Sequence, residues 1–266
     1  MTAMKFDAVF TPIQHGHLTL RLAENEADVY AAQRLRYRIF CEEMGGVANL
    51  AVQQQKRDFD QFDDVCYHLL VIDNTRTGDA RVVGTYRLLT RSNMLRLGSF
   101  YTETEYDISA LRAQPGEIME LGRSCVEQQY RTRPVIQMLW QGIGAFIAAQ
   151  NVKLMFGCAS FHGVNAREHH HALSYLYHYH LAPEHIRPKA LPAHYVNMNF
   201  MPKEDVVPRA ALNALPPLIK GYLRLNGMVG DGAVLDYAYN TCDVSIVVQT
   251  DTLSQRYADR YISDAQ

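Results

Sequence analysis

The sequence predicts an α/β fold in which a mixed, twisted sheet is flanked by helices and followed by a C-terminal extension. The main observation is the order of elements in residues 116–160, where a strand pattern, a polar turn, an apolar helical stripe and a second strand follow one another. This order favours two parallel strands joined through a helix. Shorter stretches of alternating residues on both sides of this segment predict further strands of the same sheet.

The N-terminal part predicts a strand, a helix and two more strands. Residues 1–17 show no clear period and are expected to be an irregular lead-in. Leu18 to Ala23 alternates, which is typical of a strand. From Glu24 to Met44 apolar residues recur at helical spacing, and a pair of glycines then ends the predicted helix. His68 to Asp73 and Val82 to Leu89 are predicted strands joined by a turn.

The central segment predicts a strand–helix–strand unit. Ile118 to Val126 alternates and is rich in apolar and β-branched residues, which indicates the first strand. Pro134 suits the first turn of the helix, because no amide N–H is needed there. One apolar stripe then follows at helical spacing, formed by Ile136, Leu139, Trp140, Ile143, Phe146 and Ile147. Lys153 to Ala159 is the second strand, and residues 161–180 predict a helix dense in histidine.

A change of composition at Leu181 predicts the domain organisation. Prolines become frequent from this point, so we expect a core over residues 18–180 and a C-terminal extension over residues 181–266 that packs on it. Within the extension, Leu215 to Leu225 predicts a short helix and Val244 to Gln249 a final strand.

Composition and charge argue against several classes of function. A net charge of −2 in 266 residues gives no basis for nucleic-acid binding. No apolar run approaches the roughly 18 residues that a membrane span needs. The first residues lack the basic-then-apolar layout of a signal peptide. Five cysteines without a CxxC pair predict reduced thiols, so we expect a cytoplasmic protein.

Charged residues inside predicted strands are the best candidates for a functional site. Glu120 and Arg123 lie in the first strand of the central unit, and Arg87 lies in an earlier one. Burying an ionised group is costly unless it is paired or functional. The pair is therefore either an ion pair that serves only the fold or part of an active site. Cys125 has no histidine nearby in sequence, and we expect a core residue rather than a nucleophile.

Two further candidate clusters precede these strands. Arg36 and Phe40 are four residues apart and share a face of the N-terminal helix. Asp60 and Asp63 belong to a stretch of four carboxylates that could form a solvated loop, a cation site or an anchor for an amine. This stretch lacks the glycine and the distal glutamate of a helix–loop–helix calcium site. The histidines of residues 161–180 lack the spacing of metal ligands, so no metal is expected.

Four pieces of the sequence, taken in order, resemble the acyl-homoserine-lactone synthases. They are Arg36 with Phe40, Asp60 with Asp63, Arg87, and Glu120 with Arg123. The segments GCASFHG, YLYHYHLAP and LPPLIKGYLRLNGMVGDGAVLDYAYNTCDV more specifically resemble the ornithine–acyl carrier protein N-acyltransferases of ornithine lipid biosynthesis, over most of residues 20–250. Both resemblances imply a GNAT-like acyltransferase fold. The stretch LPPLIKGYLR also resembles a piece of glycerolipid acyltransferases, which implies a lipid-acyltransferase-like extension that handles a lipid chain or a membrane surface.

The resemblance implies an amide-forming acyltransferase. It would move a 3-hydroxy fatty acyl group from acyl carrier protein to the α-amino group of ornithine, giving lyso-ornithine lipid. No cofactor is expected, because the phosphopantetheine arrives on the carrier protein. Three alternatives stay open: another amino acid such as glutamine, an acyl-homoserine-lactone-type signal synthase, and a non-enzymatic lipid- or carrier-protein-binding module. Peripheral contact with the inner membrane is expected through the apolar residues of Leu215 to Leu225.

The resemblance also assigns roles to individual residues. Glu120 would act as the base for the amine, directly or through one water, with Arg123 beside it. The substrate-binding residues would be Arg36, Phe40, Asp60, Asp63 and Arg87. The turn 127–134 lacks the glycines of a coenzyme A site. We therefore expect Arg131 and Arg133 to contact the phosphopantetheine and an acidic carrier protein.

Overall fold

One ten-stranded sheet with helices on both faces forms the part of the computed structural model that is described, residues 11–252. The strands in this range are β1 (Ile13–His15), β2 (Leu18–Leu22), β3 (Tyr67–Asp73), β4 (Val82–Thr90), β5 (Tyr106–Asp107), β6 (Glu117–Val126), β7 (Val152–His162), β8 (Lys189–Ala190), β9 (Met228–Asp236) and β10 (Thr241–Gln249). The α-helices are α1 (Glu26–Tyr37), α2 (Leu50–Gln55), α3 (Arg91–Met94), α4 (Ser109–Arg112), α5 (Arg133–Gln150), α6 (His170–His180), α7 (Pro208–Ala214) and α8 (Pro217–Arg224).

The strands are arranged in the order β1-β2-β3-β4-β6-β7-β10-β9-β8-β5. Strands β6 and β7 are parallel and are joined through α5, so the predicted strand–helix–strand unit is confirmed. Their outer neighbours β4 and β10 pair with them in antiparallel fashion. The predicted α/β class, a mixed sheet flanked by helices, is therefore confirmed.

The strand register divides the side chains between an apolar face and a face with a polar centre. Leu88 and Met119 lie on the face that packs against α5 in the main apolar core. Glu120 lies on the opposite face, since neighbouring residues of a strand alternate. It shares that face with Arg87 of β4 and, across β7, with Asp243 of β10. The polar groups of these three residues are thus collected on one side of the sheet.

Strands β6 and β7 separate halfway along their length. Their parallel pairing ends at Glu120 and Phe156, although both strands continue. A Cβ on Gly157 would stand 2.1 Å from the carbonyl oxygen of Leu121, so a side chain cannot be accommodated there. Beyond this point β6 bulges against β4, and Arg123 in the bulge has a φ of 52°. This left-handed conformation is uncommon for a residue other than glycine and is often found at functional sites.

Most predicted strands and helices are confirmed within a few residues. The helix predicted over residues 161–180 begins only at His170, because β7 continues to His162. Other details also differ. The predicted helix over residues 24–44 is α-helical only to Tyr37 and continues as a π-helix over Arg38–Glu43. The lead-in contains the short strand β1, while residues 1–10 lie outside the described range. Strand β9 was not predicted, because its glycines interrupt the alternating pattern.

The C-terminal segment completes the sheet. Strand β10 pairs with β7 along its whole length, and β9 then pairs with β10. The predicted boundary after residue 180 therefore does not interrupt the sheet, which continues across it. Residues 253–266 lie outside the described range.

In residues 11–252, no helix is both long enough and apolar enough to cross a membrane.

Candidate active site

A cavity of about 670 Å³ lies where β6 and β7 separate. On the α5 face of the sheet its wall includes Leu139 and Trp140 of α5 and Tyr222 of α8. On the other face the wall includes Glu120 and Tyr101. Residues from both faces contribute, so the cavity passes through the sheet between the two strands.

A network of three arginines and three aspartates supports the polar end of the cavity. Arg36 is its centre and is only 1% exposed. The Arg36 Nε donates to Asp58 Oδ2 over 2.8 Å, and its two terminal nitrogens donate to the Asp63 oxygens over 2.9 and 2.8 Å. Burial disfavours the charged guanidinium, but the two carboxylates outweigh it and raise the pKa of Arg36. Arg36 is not part of the cavity wall.

Arg87 and Arg123 connect this network to the cavity, which both of them line. Arg87 Nη1 donates to Asp60 Oδ1 over 2.6 Å, and Arg123 Nη2 donates to Asp60 Oδ2 over 3.2 Å. The guanidinium of Arg123 also lies 4.5 Å from the ring centre of Tyr101 and 4.7 Å from that of Tyr239. These contacts hold the side chain of the bulge residue in one position on the cavity wall.

Asp60 and Asp63 lie side by side, but their oxygens are engaged within the network. Asp63 accepts from Arg36 and from the backbone N–H of Asp60, and it does not line the cavity. Burial alone would raise the pKa of Asp63, but the arginines lower it below the ordinary range. Sequence reasoning gave no role to Asp58, which binds Arg36 and accepts from the Tyr239 hydroxyl over 2.9 Å. The three carboxylates therefore stand behind the arginines rather than in the cavity.

Glu120 lines the cavity but is not paired with Arg123, whose ion-pair partners are aspartates. Its carboxylate accepts from the N–H of Tyr101 over 3.0 Å, from the N–H of Thr102 over 2.6 Å and from the Thr102 hydroxyl over 2.5 Å. Burial raises the pKa of Glu120 more than these donors lower it. A carboxylate offers about four acceptor positions, so one remains for a group in the cavity.

The opposite end of the cavity is apolar. Its wall there includes Ile136 and Trp140 of α5 and Pro217 and Leu218 of α8. This apolar part of the cavity is suited to a hydrocarbon chain. The predicted substrate residue Phe40 lines the cavity nearer its charged end, where its ring packs edge-on against Tyr239 with ring centres 5.8 Å apart, and Tyr239 in turn contacts Arg123 and Asp58.

Apolar residues of α8, which the sequence analysis expected at a membrane surface, pack largely against the protein interior, and contact of the protein with a membrane stays a prediction. Ile219 is fully buried and Tyr222 is 6% exposed. The Tyr222 ring packs edge-on against Trp140, with ring centres 5.1 Å apart. Leu218 and Leu223 are partly buried against the same core. Helix α8 therefore closes the apolar end of the cavity.

The two arginines expected at the phosphopantetheine lie at the start of α5. Arg131 lines the cavity, forms an ion pair with Glu43 at 2.6 Å and donates to the carbonyl of Val126 over 3.0 Å. Arg133 is the first residue of α5 and is exposed. The turn before the helix, Gln128–Tyr130, is a short 3-10 helix without glycine.

Cys125 is a buried core residue, as predicted. Burial raises the pKa of its thiol to about 12, so the thiolate that a nucleophile requires is scarce at neutral pH. On the other face, the Tyr86 and Tyr222 hydroxyls lie 3.0 Å apart, and both residues line the cavity.

Comparison with known proteins identifies the family. The family model of the acetyltransferase (GNAT) domain matches residues 35–141. The L-ornithine N(alpha)-acyltransferase of Agrobacterium fabrum is 45% identical, over 100% of this chain and 91% of that protein. The protein of the same name from Rhizobium meliloti is 46% identical, over 94% of this chain and 86% of that protein. The chain belongs to the L-ornithine N(alpha)-acyltransferase family. It is an acyltransferase, and the resemblance found in the sequence is confirmed.

A solved structure supports the fold assignment. The fold is similar to that of FeeM, an N-acyl amino acid synthase from uncultured soil microbes, with a TM-score of 0.50 over 92% of this chain and 96% of that chain. The two sequences are only 11% identical, so the likeness concerns the fold alone. Together with the domain match, it confirms the predicted GNAT-like acyltransferase fold.

Proposed function

We propose that this protein transfers a 3-hydroxy fatty acyl group from acyl carrier protein to the α-amino group of L-ornithine, giving lyso-ornithine lipid. The observation that carries the proposal is the cavity through the sheet, with an apolar wall on the α5 face and a charged wall on the other. In this cavity the fatty acyl thioester can contact the apolar wall while the charged amino acid contacts the polar wall, so the two reactants can meet. The names of the curated relatives support ornithine as the amino acid.

The reaction forms one C–N bond and breaks one C–S bond. The neutral α-amine attacks the thioester carbonyl carbon, the pantetheine sulfur leaves, and the proton lost by nitrogen balances the thiol that is released. Backbone N–H groups of β6 beyond Glu120 have no partner on β7, and we assign them to the developing oxyanion. Glu120, with its remaining acceptor position on the cavity, would take the proton directly or through one water.

Arg123 and Arg87 would attract the carboxylate of the amino acid. Both lie on the cavity wall, and the aspartates that hold them stand on the side away from the cavity. Arg36, Asp60 and Asp63 would then be positioning residues, because they orient the two arginines without touching the substrate. Phe40 would contact the substrate as part of the wall.

The donor would be a carrier protein rather than coenzyme A. A pyrophosphate usually needs a glycine-rich nest of amides, which the 3-10 turn before α5 does not offer. A single phosphate needs fewer hydrogen-bond donors, which a helix N-terminus and an arginine can supply. The first amides of α5 are not capped by the Thr132 side chain, and Arg133 lies beside them. Arg131 keeps its place on the rim through Glu43, which offsets part of its charge.

The charged end of the cavity favours a cationic amino acid over glutamine. A pocket for glutamine needs amide partners, whereas Asp236 and Asp243 line this end. Carboxylates are the partners that a second ammonium requires.

The proposal is tested with the full-length protein, a 3-hydroxyacyl carrier protein and L-ornithine, with the products identified by mass spectrometry. Nα-(3-hydroxyacyl)ornithine is expected. Expression in a host without aminolipids, followed by lipid mass spectrometry, tests the same product in cells. Acylation of another amino acid but not of ornithine, or release of an acyl-homoserine lactone, would contradict the proposal.

A further inference from the structure

An acidic pocket lies at the charged end of the cavity, apart from the arginine network. Glu105, Asp236 and Asp243 come from three separate elements, and each presents a carboxylate oxygen within 4.8 Å of the other two. Arg123 is the cation that acts on both Glu105 and Asp243, but it is already paired with two aspartates of the network. Among the described residues, the three carboxyl groups of the pocket therefore have no cation to themselves.

Buried polar atoms of β10 indicate that a ligand belongs in this pocket. Asp243 is 6% exposed and lines the cavity, and its Oδ1 accepts no hydrogen bond from the described residues. The hydroxyl of Ser245 also lacks a partner among the described residues and lies on the same face of the strand, whereas Thr241 and Ser160 interact with the Asp243 carboxyl. Buried polar atoms normally have partners, so the two on one strand face require an explanation.

Other atoms of the pocket are already committed. One oxygen of Asp236 accepts from the N–H groups of Ala238 and Tyr239, and one oxygen of Glu105 accepts from the Cys158 thiol over 3.2 Å. The second oxygen of each is not engaged in these bonds. With Asp243 Oδ1, this makes three oxygens for one cation.

The spacing of these oxygens fits an ammonium group. An ammonium nitrogen donates three hydrogen bonds, and at about 2.8 Å each they place the acceptors about 4.6 Å apart. A divalent metal ion at about 2.1–2.5 Å draws its oxygen ligands closer together, to roughly 3–3.5 Å. The three oxygens lie within 4.8 Å of one another, which is compatible with an ammonium among them, and the chelation experiment below distinguishes it from a metal ion.

We propose that Glu105, Asp236 and Asp243 bind the distal ammonium of the amino-acid substrate and thereby select diamino acids over neutral ones. This inference rests on the proposed function and deepens it. The α-carboxylate lies at Arg123, the distal ammonium enters the acidic pocket, and the α-amine between them points to the gap between β6 and β7. Glu120 supports the arrangement, because it fixes Thr102 at the start of the segment that carries Glu105.

The test compares L-ornithine with L-norvaline, which has the same carbon skeleton but no distal amine. The wild-type protein prefers ornithine by kcat/KM. Asp243→Asn and Glu105→Gln lower this preference by about 10- to 100-fold, the loss expected for a hydrogen bond between charged groups. The loss arises mainly in KM for ornithine, while norvaline is affected far less. Asp205→Asn, an exposed carboxylate outside the cavity, leaves the preference unchanged.

The outcomes separate this inference from the proposed function. If the wild-type protein acylates neither amino acid, the proposed function fails. If it acylates ornithine and the preference survives both substitutions, only the acidic pocket is refuted. Thermal unfolding identifies a variant that has merely lost its fold. Loss of activity on both substrates after metal chelation, with restoration by Mg²⁺ or Mn²⁺, would show that the pocket holds a metal ion instead.

The pH dependence of KM gives a second readout. Burial is the main cause that raises the pKa of Glu105 to about 8 and that of Asp243 to about 6. The carboxylates must ionise to hold an ammonium, so KM for ornithine should fall between about pH 6 and pH 8 while KM for norvaline does not. Neighbouring groups do not mask this change: burial raises the pKa of the Cys158 thiol and of the Tyr101, Tyr106 and Tyr239 hydroxyls, and Arg123 stays charged. A parallel pH profile for both amino acids would contradict the inference.

Discussion

At the scale of single residues, Arg36 shows how a buried charge can serve an active site without touching it. It holds Asp58 and Asp63, and Asp63 in turn contacts Arg87 on the cavity wall over 3.3 Å. Breaking a buried ion pair from one side costs more than the pair contributes, because the remaining charges stay buried without partners. The residue therefore affects stability first and the orientation of the cavity arginines second.

We expect Arg36→Met to lower the free energy of unfolding by about 3–5 kcal/mol, because two buried carboxylates lose their main partner. Arg34→Met on the same helix is the matched control. Its ion pair with Asp79 is largely exposed, so a change below about 1 kcal/mol is expected. Denaturant unfolding at pH 7 measures both. The loss of unfolding free energy in Arg36→Met should shrink below about pH 4, where the carboxyls of Asp58 and Asp63 take up protons. An equal effect of both substitutions would contradict this account.

Glu120 has two separable roles, since it both holds the turn at residues 101–102 and faces the cavity. As a base it should contribute about 10²–10⁴-fold to turnover at pH 7. Glu120→Gln is expected to lose this factor and to regain activity at high pH, where the amine is already neutral. Thr102→Val is the control: it removes one donor to Glu120 but keeps the carboxylate. A loss that stays constant with pH would mean that Glu120 only positions the turn.

At the scale of elements, helix α8 explains why the C-terminal segment accompanies the acyltransferase core. Its buried side chains Ile219 and Tyr222 fix it on α5, and Pro217 and Leu218 then face the cavity. A helix of eight residues with two prolines at its start has little stability of its own, so packing on α5 must hold it in place. If the acyl chain occupies the apolar end of the cavity, as we propose, α8 would limit its length.

We therefore expect Leu218→Trp to shorten the acyl chains that the protein accepts, because the larger ring fills the apolar end of the cavity. Product chain lengths from a mixed set of acyl carrier protein donors, measured by mass spectrometry, check this. Leu212→Trp on α7 is the control, since that residue is exposed and outside the cavity wall. An unchanged chain-length distribution in Leu218→Trp would place the acyl chain elsewhere.

Strands and helices can be predicted well from the sequence when their residue pattern lies within a few neighbouring positions. Strand β6 alternates and α5 has a continuous apolar stripe, so both could be found from neighbouring residues alone. Strand β9 could not, because Gly230 and Gly232 fit close packing against Pro188 and Tyr195, which no local pattern shows.

The candidate site divides in the same way. Glu120 and Arg123 could be recognised because charges stand out in a predicted strand. The acidic pocket could not, since Glu105 is far in sequence from Asp236 and Asp243 of the β9–β10 hairpin and meets them only in the folded sheet. Nor could sequence show that Asp60 and Asp63 stand behind the arginines, because this depends on the position of α1 against the sheet.

At the scale of the whole molecule, two groups of carboxyls should set opposite limits on stability as pH changes. Burial raises the folded-state pKa of Asp243 and Glu105 to about 6 and about 8, so their stabilising effect is present at low pH and lost as pH rises through these values. Asp58 and Asp63 have folded-state pKa values below normal, because the arginines outweigh burial, so their contribution is lost as pH falls below about 4.

We expect the free energy of unfolding of the substrate-free protein to be greatest at about pH 4 and to decline from there toward pH 8, because folded Asp243 and Glu105 retain protons that the unfolded chain has already released. Denaturant unfolding across pH 4–9 measures this. Asp243→Asn should flatten the decline, because it removes one of the two carboxyls that titrate there, whereas the exposed control Asp205→Asn should not. A profile of Asp243→Asn parallel to that of the wild type would mean that Asp243 has an ordinary pKa.

Under the proposed function, the arginines near the two ends of β6 differ in their suitability for docking a carrier protein. Arg131 and Arg133 lie just after the C-terminal end of β6. Arg91 lies just after β4, and this end of β4 pairs with the N-terminal part of β6. A strand of ten residues spans roughly 33 Å, so Arg91 cannot belong to the same docking surface. It donates to the carbonyls of Arg112 and Gln114 instead. Docking should therefore depend on the start of α5 alone.

We predict that a 3-hydroxyacyl carrier protein is a better donor than the same acyl group on coenzyme A, and that its advantage shrinks as salt rises. Charge steering by exposed residues is screened beyond about 8 Å at physiological ionic strength. Arg131→Glu combined with Arg133→Glu should raise KM for the carrier protein at least tenfold and change KM for coenzyme A thioesters much less. Arg209→Glu with Arg224→Glu is the control, because it makes the same change in net charge at exposed positions outside the cavity wall. Equal rates with both donors, independent of salt, would show that the two arginines have another role.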